Sequence, residues 1–181
     1  MYFFLKITRY SLLFWLPLYL VQRMQYSEEW AGYTSSLFEL VGFSGALIAG
    51  YVSDRMLKGR RYPVGATMLF ALAAWLLIHL VIGRMGPAAT AVSVSVLGIL
   101  VYGPDLLMSG PASVDAVRPG HTARDAGIVG SLGQFVSAYV VAIIVSRFGW
   151  DQLFTFLLVC AAAAGTLLTL RWSKGLEEDQ K

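Results

Sequence analysis

The sequence predicts an all-α membrane protein of six transmembrane helices, and three observations carry that prediction. Only 14% of its 181 residues are charged, where a soluble domain carries about 25%, and its mean hydropathy is +0.64. Its apolar residues fall into six runs, each near the roughly 20 residues that a helix needs to cross a bilayer. The connections between runs are short and hold most of the charge. Such a chain cannot cover itself with polar surface, so the lipid bilayer is its expected solvent on most sides.

The first run, 2–21, holds Tyr2, Lys6, Arg9 and Pro17. A polar turn leads to the second, 32–52, which carries Glu39 in mid-span and the small residues Gly42, Gly45, Ala46 and Gly50. A basic turn, GYVSDRMLKGRR (50–61), sets Arg55, Lys58, Arg60 and Arg61 against one acid, Asp54. The third run, 63–82, contains His79, and the fourth, 88–108, contains Gly103, Pro104 and Asp105. The fifth, 123–145, repeats small residues at Gly127, Gly130 and Gly133, and the sixth is 153–170. Small faces let membrane helices approach closely. Pro17, Gly103–Pro104 and Gly110–Pro111 predict kinked or interrupted helices, which lipid tolerates only where the freed backbone groups face protein or a watery cavity. Residues 1–170 are thus read as one six-helix bundle and 171–181 as a charged cytoplasmic tail.

Orientation follows from the excess of cations expected on the cytoplasmic side. With the N-terminus inside, that side holds Arg55, Lys58, Arg60, Arg61, Arg118, Arg124, Arg171, Lys174 and Lys181. The opposite side holds only Arg23, Arg84 and Arg147, so both termini are expected in the cytoplasm. Trp15, Tyr19, Trp30, Trp150 and Trp172 stand near span ends, where interfacial anchors belong.

The net charge of +3 does not point to nucleic acid, because the cations form no continuous basic face. Cys160, the single cysteine, lies in an apolar run and reads as a small packing residue. His79 and His121 have no cysteine or carboxylate at metal-ligand spacing, and no phosphate-cradling loop or nucleophile elbow occurs. No enzyme activity, metal or cofactor is expected.

Ionisable groups inside spans are costly and are functional candidates by default. Arg9 lies about 10 Å along the first span at 1.5 Å per residue. Tyr2, Lys6 and Arg9 follow at i, i+4 and i+7, so they share one helical face. That face suits an anion, because a guanidinium donates to phosphate bidentately. The plainer alternative is that Lys6 and Arg9 snorkel to the headgroups. Glu39 is expected to pair with Arg9 or Lys6, or to act as a proton site. Asp105 either contributes to coupling or to an ion pair, or caps a broken helix near the cytoplasmic face, and His79 reads as a satisfied packing residue. Gln134, Ser131 and Tyr139 are expected to line the same cavity from the fifth span.

Three stretches carry a resemblance: Arg9–Tyr10 followed by WLPLYL, FELVGFSGALIAGYVSDRMLKGRR (38–61), and YGPDLLMSG (102–110) with DAGIVGSLGQF (125–135). The chain resembles the organophosphate:phosphate antiporter family of the major facilitator superfamily, which includes sugar-phosphate and glycerol-3-phosphate transporters and a sugar-phosphate sensor. The order matches helices seven to twelve, the C-terminal half of the fold, itself two inverted three-helix repeats.

The resemblance implies exchange of a small phosphorylated solute for inorganic phosphate by alternating access, in a bacterial inner membrane. It makes Arg9 the phosphate-binding arginine of this half, supplemented by Lys6, Tyr2 and Gln134, and makes Glu39 the matching glutamate. It assigns the gating loop to Asp54 and Arg55, with Arg60 and Arg61 beside them. Asp105 matches no family motif. The N-terminal six helices are absent, and Met1 lies close to the first span, which favours a truncated or split gene. The chain is expected to be part of a longer protein, to work with a second chain, or to have lost transport. The alternatives are a membrane sensor of the same family, or a proton-coupled carrier of another solute through Glu39 or Asp105.

Overall fold

Lipid offers peptide groups no hydrogen-bond partner, so apolar runs of this length fold as helices that satisfy their own backbone. The computed structural model describes residues 1–57, 60–83, 85–109 and 123–178, and the side chains of all of these except 123–127, 129 and 171–178. The helices are α1 (Tyr2–Gln22), α2 (Glu28–Tyr51), α3 (Arg61–Ile82), α4 (Pro87–Ser109), α5 (Ala123–Phe148) and α6 (Trp150–Glu178). Each contains a stretch long and apolar enough to cross a membrane.

Several helices outrun the apolar segments, because local capping rather than hydropathy sets their ends. Ser27 caps α2 by accepting from the Trp30 amide, and Glu28 and Glu29 in the first turn suit the positive end of the helix dipole. Pro63 falls in the first turn of α3, where its missing N–H had no partner to lose. Pro87 opens α4, the position where its fixed φ is already helical. Gly86 and Gly149 have φ of +128° and +87°, a left-handed backbone that suits glycine before α4 and α6. The charged segment expected as a tail begins as a continuation of α6 through Glu178, and residues 179–181 lie outside the described residues.

The helices alternate in direction. At one end Arg23, just after α1, donates to Asp151 at the start of α6 (Nη2 to Oδ2 3.0 Å). Tyr26, in the α1–α2 turn, shares a 2.8 Å hydrogen bond with Thr90 in the first turn of α4. The Arg23–Asp151 pair is open to solvent, where ion pairs add little. Arg23→Ala is therefore expected to leave insertion and melting temperature unchanged, as checked on the detergent-solubilised protein.

α2 lies along α4, α3 along α6 and α1 along α5. Each of the first three helices thus packs on one of the last three, and the two three-helix units interlock. The buried core runs through Leu5, Leu12 and Leu16 of α1, Leu69, Leu72 and Leu76 of α3, and Leu97 of α4 with Leu157 of α6. Val81 and Val159 are exposed, as the lipid side of a membrane bundle should be.

The small residues act as expected at some positions only. Gly42 and Gly45 let α2 meet α4 backbone to backbone, at Gly98 and Ile99. Gly130 and Gly133 let α5 settle on Tyr2, Phe3 and Lys6 of α1. Gly50 has open space around it, and the surroundings of Gly127 lie outside the described residues.

Two expectations need correction. α1 and α4 are not interrupted at Pro17 and Pro104 but run through them as single helices; packing against neighbours holds each helix together across the lost hydrogen bond. Gly110–Pro111 lies outside the described residues. Tyr19 and Trp150 are not interfacial anchors, because both are buried, with ring centroids 5.6 Å apart and Phe154 4.8 Å from Tyr19. Trp30 is exposed, and the side chain of Trp172 lies outside the described residues. His79 and Cys160 are both buried in the core, with His79 Nδ1 2.8 Å from Ser93 Oγ.

Candidate functional site

Lys6 and Arg9 rise from the first turns of α1 toward α4, and both reach Asp105. Lys6 Nζ stands 2.8 Å from Asp105 Oδ1, and Arg9 Nη1 donates to Asp105 Oδ2. The carboxylate side chain is 6% exposed and that of Lys6 9%, so neither cation snorkels free to the headgroups. Gly133 allows this burial: a Cβ there would lie 3.0 Å from Lys6 Cβ. Gly130 likewise leaves room for the Tyr2 ring and the Lys6 stem.

Aromatic rings enclose the charges. Lys6 Nζ lies 4.9 Å from the centroid of Tyr2 and 5.6 Å from that of Tyr10. The Arg9 guanidinium sits 4.4 Å from the Tyr102 centroid, within cation–π range. Arg9 Nε is buried with no hydrogen-bond partner, which leaves the guanidinium a donor in hand. Tyr102 and Asp105, three residues apart on α4, share a face. That spacing was a readable signal for Tyr102, which was not expected at the site, whereas Asp105 was expected as a coupling or ion-pair residue without Lys6 and Arg9 being named as its partners.

The other expected residues are distributed differently. Glu39 does not pair with Lys6 or Arg9; Asp105 takes both. The buried side of α2 is Ala31, Thr34, Phe38, Gly42, Gly45, Ala46 and Ala49, and Glu39 falls off that stripe, exposed with Leu40 and Phe43. Asp105 in turn is no solvated cap, because it lies on the buried face of α4. Gln134, Ser131 and Tyr139 do line one cavity, an open cleft of about 650 Å³ between α1 and α5 with Phe14 and Phe135 in its wall. The three charged residues are not part of that lining, so Gln134 belongs to a neighbouring surface rather than to the cluster.

The gating-loop residues sit at the end of α2 and the start of α3. Asp54 and Arg55 occupy a π-helical turn, Val52–Met56, and both are exposed. Arg60 precedes and Arg61 begins α3, while Lys58 lies outside the described residues. The turn lies far along the chain from the cluster but at the same end of the bundle, where α1 begins and α4 finishes. Among the described residues no group of histidine, cysteine and carboxylates is placed to hold a metal ion.

A family model, the Major Facilitator Superfamily, matches residues 1–137. The chain is 29% identical over 176 residues to a glycerol-3-phosphate transporter of Bacillus subtilis (strain 168), an alignment covering 95% of this chain and 39% of that protein. It is 32% identical to a putative glycerol-3-phosphate transporter of Arabidopsis thaliana, covering 92% of the chain and 34% of the relative. It is 30% identical to a glucose-6-phosphate exchanger of Xenopus tropicalis, covering 93% and 35%. The chain therefore spans between a third and two fifths of the length of these relatives.

Proposed function

The chain belongs to the major facilitator superfamily of membrane transporters, and from that premise we propose that it is the C-terminal half of a carrier that exchanges a phosphorylated organic solute for inorganic phosphate. The observation that carries this reading is the buried cluster of Lys6, Arg9 and Asp105. Two cations, one of them a guanidinium fork with an unused donor, suit a phosphoryl group. The printed names of the relatives, glycerol-3-phosphate transporter and glucose-6-phosphate exchanger, support a sugar phosphate or glycerol 3-phosphate as the solute. Lys6 and Arg9 would bind the phosphoryl group, with Tyr2 beside Lys6.

The missing partner is a second six-helix bundle, in the same polypeptide or another chain. Glu39 in mid-span, and Ser131 and Gln134 on α5, are exposed on this half. A carboxylate facing lipid at that depth is costly, so these faces border the second bundle and the path between them. Glu39 and Gln134 then line the path rather than the cation cluster. Asp54, Arg55, Arg60 and Arg61 form the gate at the inner face of a bacterial plasma membrane, with both termini cytoplasmic.

The test is counterflow in liposomes holding the complete carrier. Phosphate-loaded vesicles are expected to take up labelled glycerol 3-phosphate, and vesicles without internal phosphate are not. Binding without flux would instead identify a sensor. Uptake driven by external acid and indifferent to internal phosphate would identify a proton-coupled carrier.

A further inference from the structure

Asp105 is the one charged member of the cluster for which binding a phosphate has no use. It is 4% exposed, and its two oxygens each hold one cation, Lys6 on Oδ1 and Arg9 on Oδ2. A carboxylate so placed occupies the space an incoming oxyanion needs, and it cancels half of the charge that would attract one. Among the described side chains, those packed around it add no further charge. From α1 come Tyr2 and Tyr10 over Lys6, and from α4 comes Tyr102 over Arg9. Among the described residues α2 contributes Phe38 against Tyr102, α3 contributes Met68 against Gly103, and α5 contributes Gly130 and Gly133. Among the described residues, two cations and one carboxylate leave the cluster with one net positive charge.

Net charge inside a span decides what can enter it, because low polarity magnifies every uncompensated charge. A phosphate monoester carries one negative charge below its second ionisation, near pH ~6, and two above it. We infer that Asp105 is the charge-selecting residue of the site, biasing it toward anions with a single negative charge: the monoanionic form of a phosphate ester, or an oxyanion of the same shape that never gains a second charge. The inference rests on the proposed anion transport, and it assigns Asp105 a role in specificity rather than in holding the helices together.

Fixed-charge probes separate the two roles without changing pH. In the complete carrier at pH 8, glycerol 3-phosphate is a dianion and glycerol 3-sulfate a monoanion, and each is titrated as a competitor of phosphate exchange. One neighbouring charge biases an ionised form by about ten- to a thousandfold. Asp105→Asn is therefore expected to shift the affinity ratio toward the dianion by about tenfold or more, while Asp105→Glu keeps the wild-type ratio. A ratio unchanged in Asp105→Asn, with only stability lowered, would overturn the inference. Should Asp105→Asn not insert, Lys6→Gln removes the opposite charge and must move the ratio toward the monoanion; no movement there overturns it equally. A wild-type carrier that binds neither probe would refute the transport reading, and the inference with it. A carrier that binds both with a ratio indifferent to Asp105 would refute the inference alone.

Discussion

Arg9→Lys is expected to remove most exchange activity while the protein still inserts and folds. Lysine keeps the positive charge, so Asp105 is not left as an uncompensated buried carboxylate, the change that would threaten folding. What lysine lacks is the planar fork. Arg9 gives one nitrogen to Asp105 and retains Nε as a buried donor without a partner. An ammonium offers a compact charge on a flexible stem and cannot present parallel donors to a phosphoryl group while holding its carboxylate. Loss of a buried, charge-assisted hydrogen bond costs about 2–5 kcal/mol. Because charge is conserved here, we expect the lower part of that range, a fall in apparent phosphate affinity of roughly thirty- to a hundredfold. Counterflow at matched protein density measures it. Exchange at the wild-type rate would remove Arg9 from the site.

The second large effect is structural, and it sits where α2 meets α4. At Gly45 a Cβ would lie 2.6 Å from the Cα of Ile99. At Gly98 it would lie 3.1 Å from the Cα of Gly42 and closer still to the Phe38 carbonyl. The obstacles are backbone atoms, which cannot swing aside as a side chain does. Gly45→Val must push the helices apart along their whole contact, with a cost at or above the top of the about 1–3 kcal/mol seen for overpacked cores. The expected result is a large loss of monodisperse protein in detergent and a lowered melting temperature. Gly50→Ala is the matched control on the same helix, because nothing lies near Gly50. Alanine there should be neutral or stabilise by about 0.5–1 kcal/mol, since glycine is the poorer helix former. Equal behaviour of the two variants would contradict the close α2–α4 approach.

Much of this protein can be read before its structure is seen. The six spans follow from hydropathy and length, and the shared face of α1 follows from the i, i+4, i+7 spacing of Tyr2, Lys6 and Arg9. The six-helix half fold, with no strand among the described residues, agrees with the expectation from the resemblance. Which of the two acids pairs with those cations could not be read, for a physical reason. Glu39 and Asp105 are both single acids in apolar runs, and only helix rotation distinguishes them. α2 turns its glycine stripe to α4, which carries Glu39 outward, whereas α4 turns Asp105 inward beside α1. The stripe of Phe38, Gly42, Gly45 and Ala49 did hold that information, but its use depends on knowing which helix it meets. Gly98, the other half of that contact, is one glycine in a long apolar run and gave no pattern to find. Aromatic residues near span ends misled in the same way: Trp30 faces outward as expected, while Tyr19 and Trp150 close a buried cluster around His79.

Three ionised groups inside a span are a poor investment in stability. Replacing a buried ionic cluster with well-packed hydrophobic groups of similar size is often neutral or stabilising, whereas removing one member alone leaves a stranded charge. The triple variant Lys6→Met, Arg9→Met, Asp105→Leu exploits that asymmetry, because it empties the cluster of charge without stranding any member. Calorimetric titration of the complete carrier with inorganic phosphate, wild type against the triple variant, is the most direct test of the cluster as the anion site. The account predicts saturable binding in the wild type, no detectable binding in the triple variant, and a melting temperature for the variant at or above that of the wild type. Phosphate binding of equal affinity in both proteins would contradict it.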